Sequence, residues 1–185
     1  MNVQREEIYS QRKQVLDGID LSSVISNYID WVARATVETY HESDEKGKLT
    51  LNIEALSNEI ISTFGINMLD ELKDKSGDVE AIISSLQEKA HEKYAEKEKE
   101  IEAEQLREIE RIVMLKVVDQ KWMDHIDNMD ELRKGIGLQG WGQKDPVVQY
   151  RIVGTEMFDE MIEAIKVDVV KLLMNLRQQK DLRRS

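Results

Sequence analysis

The most constraining feature of this sequence is an apolar pattern that keeps helical spacing for about 30 residues without a proline. It consists of Leu106, Ile109, Ile112, Val113, Leu115, Trp122, Ile126, Met129, Leu132 and Ile136. At about 1.5 Å per residue, a helix of that length is a rod of roughly 45 Å. The chain must therefore contain at least one long helix.

A second apolar series follows, after a segment that contains Gly135, Gly137, Gly140 and Gly142 and ends at Asp145 and Pro146. Its members are Val148, Ile152, Met157, Phe158, Met161, Ile162, Ile165, Val169, Leu172, Leu173 and Leu176. Two long helices joined by a glycine-rich loop pack antiparallel. The pattern predicts a two-helix finger over residues 105–178, followed by a polar tail at 179–185.

The first part of the chain predicts shorter helices. The first segment, residues 1–18, contains a helix over residues 3–16 that breaks at Asp17 and Gly18. The next helix begins where Asp20 can cap it. After a loop, Asn52 and Gly65 have the residue types that cap the two ends of a third helix. A last helix starts near Ser76 and continues into a run charged on all sides, from 96 to 111, which we interpret as a solvated bridge.

With 9 glycines, 1 proline and 5% aromatic residues, the composition favours helices throughout. We therefore predict an all-α fold, in which a small helical domain at 19–104 precedes the long antiparallel finger. The uncapped start at Met1 indicates a segment of a longer polypeptide.

The formal net charge of -11 argues against a nucleic-acid partner, because phosphate binding requires clustered lysines and arginines. The absence of cysteine excludes disulfides and thiolate metal sites. No apolar run is long enough to span a membrane, and the first residues lack the apolar stretch of a signal peptide.

No residue pattern predicts a catalytic or metal site. The glycine-rich phosphate loops are absent, so we expect no cofactor in this segment. His41, His91 and His125 are far apart in sequence and lack a second ligand at helical spacing. Asp124 and Asp127 flank His125 without a nucleophile, and we interpret this histidine as hydrogen-bonded where helices pack.

The glycine-rich segment carries a tryptophan at the far end of the predicted finger. Because no local core is available there, we place Trp141 on an exposed tip that contacts another molecule. The alternative, in which Trp141 packs back on Leu138 or Val147, stays open. Arg133, Lys134, Lys144 and Arg151 outnumber Asp145 around the tip, a balance that suits an anionic membrane surface or an acidic partner.

The string VVDQKWMDHIDNMDELRKGIGLQGWGQKDP, from Val117 to Pro146, resembles the SecA preprotein translocase family. The matching positions are Asp119, Trp122, His125, Met129, Asp130, Leu132, Arg133, Gly135, Ile136, Gln143 and Pro146. IYSQR, from Ile8 to Arg12, resembles the end of the long scaffold helix that precedes it in that family. Residues 20–104 correspond to the helical wing by position and helical pattern rather than by motif.

The resemblance implies a non-catalytic module of a motor that drives preproteins through the SecYEG channel, with ATP and Mg²⁺ bound in motor domains outside this segment. It implies that the finger tip contacts the polypeptide, at Leu138, Gln139, Gly140, Trp141, Gly142 and Gln143. It also implies that Trp122, His125 and Arg133 face the motor and restrain its ATPase activity. Trp141 stands where the family commonly has tyrosine.

The partners implied are the motor domains of the same protein, SecYEG, the preprotein and the anionic membrane surface, at the cytoplasmic side of the cell membrane. Two alternatives remain open. One is a self-standing helical adaptor that binds partner helices through the finger, and the other is an enzyme with an unrecognised carboxylate site.

Overall fold

The computed structural model describes residues 1–43, 45–47, 49–138 and 145–177, and the described part is all-α apart from one small hairpin. The elements are α1 (Asn2–Leu16), α2 (Ser22–Thr39), β1 (His41–Ser43), β2 (Leu49–Leu51), α3 (Ile53–Phe64), α4 (Leu69–Asp74), α5 (Val79–Ile101), α6 (Ala103–Leu138) and α7 (Pro146–Met174). The predicted fold class is confirmed. No helix in these ranges is both long and apolar enough to cross a membrane.

The predicted helix boundaries of the first part rest on side-chain caps. Asn52 Oδ1 accepts the Ala55 N–H at 3.2 Å, and Gly65 ends α3 in the left-handed conformation, at φ 66°. Asp20 Oδ1 accepts the Ser22 N–H at 2.8 Å at the start of α2. These three predictions are confirmed.

The loop predicted after α2 is in part a β-hairpin. His41 pairs with Leu51 and Ser43 with Leu49, in antiparallel register. The Asn52 N–H donates to Tyr40 O at 2.9 Å next to this pairing. Strands of three residues are too short to show an alternating pattern, so the sequence prediction of a plain loop was wrong here.

The predicted solvated helix over 96–111 was wrong in two respects, although most of its residues are helical and at least partly exposed. The helical run is interrupted at Glu102, which has φ 73° and separates α5 from α6. Leu106 and Glu110, both inside the charged run, are completely buried. The charged sequence pattern did not indicate this burial, because it arises from contacts with residues that are distant along the chain.

The structure divides into two compact units, each assembled from two chain segments. Unit 1 comprises Met1–Ile19 and Arg111–Ile165, so it holds α1, most of α6 and the first part of α7. Met129 of α6 lies against Gly154 of α7, and His125 lies against Phe158. The contact partner moves from residue 154 to 158 along α7 as the position on α6 moves from 129 back to 125. The two helices therefore run in opposite directions, which confirms the antiparallel packing of the finger.

Unit 2 comprises Asp20–Glu110 and Lys166–Ser185, of which the structure describes the residues up to 177. Its core is formed by buried aliphatic side chains of α2, α3 and α5 together with Phe64. Asn175 Nδ2 donates to the Ser62 and Thr63 carbonyls, and Lys97 Nζ donates to Leu176 O at 2.6 Å. The residues that follow α7 are thereby tied into unit 2. The continuous domains expected from the sequence stay a prediction.

Candidate protein-interaction site

The described end of the finger exposes its apolar side chains. Leu138, the last residue of α6, is 84% exposed. The other predicted tip residues, Gln139, Gly140, Trp141, Gly142 and Gln143, lie outside the described residues. The observed part of the site is therefore the pair of helix ends that flank the glycine-rich segment.

The start of α7 also exposes apolar side chains. Val147, Val148 and Ile152 are each about half exposed or more. Asp145 Oδ1 accepts the Val147 N–H at 3.0 Å, and Pro146 is the first helical residue, where its missing N–H costs nothing. A capped helix start holds these side chains in place. We call Leu138, Val147, Val148 and Ile152 the finger-end patch.

The positive charge expected near the tip is partly offset by an acidic residue. Asp130 lies 3.2 Å from Arg133 Nη2 and 3.1 Å from Lys134 Nζ. Lys134, followed by Arg133, holds the pKa of the Asp130 carboxyl below its usual range. Sequence reasoning missed this partner, although positions three and four residues apart on a helix signal it. Arg151 remains exposed beside the patch.

Of the three predicted motor-facing residues, two are buried and one is exposed. Trp122 is 6% exposed and His125 is 3% exposed, both within unit 1, whereas the Arg133 side chain is 73% exposed. The Trp122 and His125 ring centroids lie 5.5 Å apart, and Phe158 of α7 is 5.7 Å from His125. The motor-facing role of the three stays a prediction.

His125 is held by a chain of hydrogen bonds that links all three helices of unit 1. Its Nε2 lies 2.8 Å from Gln4 Oε1 on α1, and Gln4 Nε2 donates to Gly154 O on α7 at 3.2 Å. Burial lowers the pKa of His125, so the neutral imidazole is favoured and donates from Nε2 to the amide oxygen. The interpretation of His125 as a packing histidine is confirmed.

A groove between α1 and α6 reaches Trp122. Its volume is about 420 Å³, and it is lined by Ile8, Tyr9, Arg12, Lys13, Leu16, Asp119 and Trp122. Arg12 forms a two-pronged ion pair with Asp119, at 2.8 and 3.2 Å. The exposed rings and chains of Tyr9 and Leu16 give the groove an apolar rim. The IYSQR motif pointed to this part of α1 but not to the groove.

The Trp122 indole has an unusual polar environment. Its Nε1 is buried and has no hydrogen-bond partner among the described residues. A buried donor without a partner costs roughly 1–3 kcal/mol of folding stability.

The described residues contain no group of three or more histidine, aspartate and glutamate side chains arranged to hold a metal ion. The features that remain are two apolar surfaces on helices, the finger-end patch and the groove at Trp122. Both have the character of protein-contact surfaces.

Comparison with known proteins gives one consistent result. Residues 1–177 match the family described as SecA Wing and Scaffold domain. Relatives called protein translocase subunit SecA are 45% identical in Clostridium novyi, 46% in Carboxydothermus hydrogenoformans and 45% in Clostridium beijerinckii. These alignments cover 100%, 95% and 96% of this chain, but only 22%, 20% and 21% of the respective relatives.

Proposed function

The chain belongs to the SecA Wing and Scaffold domain family, and from this we propose that it is a non-catalytic module of a motor that drives ATP-dependent preprotein translocation through the SecYEG channel. The chain spans about a fifth of the length of the translocase subunits that it resembles. ATP and Mg²⁺ then bind in motor domains outside this segment, and the module transmits their movement.

The observation that carries the proposal is the finger-end patch. Leu138 and Ile152 are exposed apolar side chains on the two helix ends that flank the glycine-rich segment. A translocating polypeptide is unfolded and presents side chains of every kind, so an apolar surface with rotatable aliphatic groups suits transient contact with it. In this proposal the patch and Trp141 together grip the polypeptide at the mouth of the channel.

The groove at Trp122 supports a second contact, with the motor domains of the same protein. It offers an apolar rim and the exposed Lys13 cation. Docking of the motor on this groove, with Arg133 farther along α6, would restrain the ATPase until a preprotein engages. We place the protein at the cytoplasmic face of the membrane, where the exposed Arg151 can contact anionic lipid and Arg133 and Lys134 can exchange Asp130 for it.

The proposal is tested in the complete motor by placing a charge on the patch. Ile152→Asp is expected to lower the amount of preprotein moved into SecYEG vesicles about tenfold while leaving nucleotide binding unchanged. The reason is that an apolar contact that becomes buried when the polypeptide binds is worth more than about 1 kcal/mol. Leu172→Asp is the matched control, because Leu172 is an exposed apolar residue of the same helix outside the patch.

Translocation at the wild-type level by Ile152→Asp would contradict the proposed role of the patch. Saturable binding of the chain to an unrelated helical protein, without binding to SecYEG or to the motor domains, would favour the helical adaptor instead. Substrate turnover by the purified chain would favour the enzyme alternative.

A further inference from the structure

The interruption between α5 and α6 has no local cause in the sequence. From Asp78 to Lys134 the chain contains neither glycine nor proline, and the residues around the break are strong helix formers. Nevertheless Glu102 has φ 73° and ψ 136°, a backbone conformation that side-chain-bearing residues rarely adopt. Such a residue persists only where surrounding contacts hold it.

Those contacts form a cluster around one arginine. Arg107 Nη2 donates to Glu98 Oε2 on α5 at 2.6 Å. Arg107 Nε lies 2.8 Å from Glu110 Oε1 on α6, a close charge pair without hydrogen-bond geometry. Glu110 is completely buried, and Tyr94 of α5 is buried beside it. Burial raises the pKa of the Glu110 carboxyl, and the Arg107 charge opposes this change.

The cluster cannot exist in a straight helix. Residues 98 and 107 would then be about 13.5 Å apart along the axis and half a turn out of phase, and residues 94 and 110 would be about 24 Å apart. The contacts of Arg107 with Glu98 and of Tyr94 with Glu110 therefore require the break. The strain at Glu102 and the missing helical hydrogen bonds disfavour the break.

We propose that residues 101–103 form a conformational joint that exchanges between this bent form and one continuous helix, with Arg107 as the latch of the bent form. The bent form is stabilised by the ion pairs of Arg107 and by the burial of Leu106 and Tyr94. The straight form is stabilised by relief of the backbone at Glu102. The joint sets the direction in which the first turns of α6 leave α5, a regulatory element beyond the proposed contact surfaces.

The joint is testable by pulsed electron spin resonance, because the chain contains no native cysteine. Spin labels at Glu88→Cys and Gln105→Cys occupy exposed positions on α5 and α6. A continuous helix would separate their Cα atoms by about 26 Å, and the bent form by less. The otherwise unaltered chain is expected to show the shorter distance in more than about nine tenths of molecules.

Arg107→Gln is expected to raise the population near 26 Å at least threefold, and adding Glu102→Gly is expected to reverse that rise, because glycine adopts φ 73° without strain. Lys99→Gln is the matched control. Like Arg107→Gln it replaces a cation near the break, but Lys99 lies on the last turn of α5, and its loss should leave the distances unchanged. If Arg107→Gln fails to fold by circular dichroism, Glu98→Gln, at a half-exposed position, takes its place. An unchanged distance distribution in the folded latch variant would overturn the proposal.

Discussion

Gly154 of α7 lies directly against Met129 of α6, so that a β-carbon at position 154 would come within 2.7 Å of the methionine Cε. The atom in the way is the end of a flexible side chain. Gly154→Ala is therefore expected to change the free energy of unfolding by less than about 1 kcal/mol, since better helix propensity offsets the shift of the methyl. Gly154→Leu is expected to cost about 1–3 kcal/mol by overpacking. Urea denaturation measures both, and equal costs would contradict the close approach.

The buried imidazole of His125 predicts a pH response. Because burial holds the pKa of His125 below its ordinary value, the unfolded chain binds the proton more readily than the folded chain. This contribution to stability is complete above the unfolded pKa, near 6.5, and is lost as pH falls toward the lower folded pKa. Denaturation at pH 7.5 and 5.0 should show a smaller pH-dependent loss in His125→Gln than in the parent chain. His41→Gln, on β1, is the control, and equal losses in all three chains would refute the prediction.

The cap at the start of α3 predicts a local cost. Asn52→Ala removes the acceptor of the Ala55 N–H and is expected to lower the free energy of unfolding by about 1 kcal/mol. Asn58→Ala, at an exposed position inside the same helix, should be neutral or slightly stabilising. Thermal or urea melts of the two variants separate the cap from the helix interior, and an equal effect at both positions would argue against the cap.

Trp141 carries a prediction made from the sequence. On an exposed tip, Trp141→Ala should change stability by less than about 0.5 kcal/mol, whereas in a core it should cost about 3 kcal/mol or more. In the complete motor, Trp141→Ala should impair polypeptide movement without affecting nucleotide binding. Trp141→Tyr should keep most of the translocation activity. Normal translocation by the alanine variant would remove the tip role.

The groove at Trp122 predicts that this chain, added as a separate molecule, changes the ATPase rate of the motor domains. Added to motor domains that lack this segment, the chain is expected to bind and to lower their basal ATPase rate. Lys13→Glu, on the exposed rim of the groove, should weaken that binding about tenfold, whereas Lys171→Glu, on α7, should not. An unchanged rate at saturating, demonstrated binding would exclude the regulatory role.

Much of this fold follows from local chemistry. The apolar spacing predicted α6 and α7, and single residues such as Asn52 and Gly65 predicted where α3 begins and ends, because caps act over three or four residues. The break at Glu102 was unpredictable for the opposite reason: the contact of Arg107 with Glu98 that accompanies it exists only once the chain has turned. The β1–β2 hairpin is likewise too short to have a pattern.

Some features of the candidate site were likewise predictable from nearby residues, and others were not. The exposure of Leu138 follows from its place at the end of an apolar stripe beside glycines. The burial of His125 depends on Gln4, 121 residues away, and no spacing rule connects the two. The groove between α1 and α6 escaped prediction because its two walls come from opposite ends of the sequence.

The hydrogen bond from Gln4 to Gly154 joins residues 150 positions apart, and this has a consequence during synthesis on the ribosome. At about 5–20 residues per second, roughly 8–30 s pass between translation of the first partner and the second. Throughout that time α1 has no α7 to pack against, although the α6 residues that line the groove with Ile8 are made before α7. Within this segment, unit 1 cannot close until α7 has been made, although α1 and most of α6 are already present.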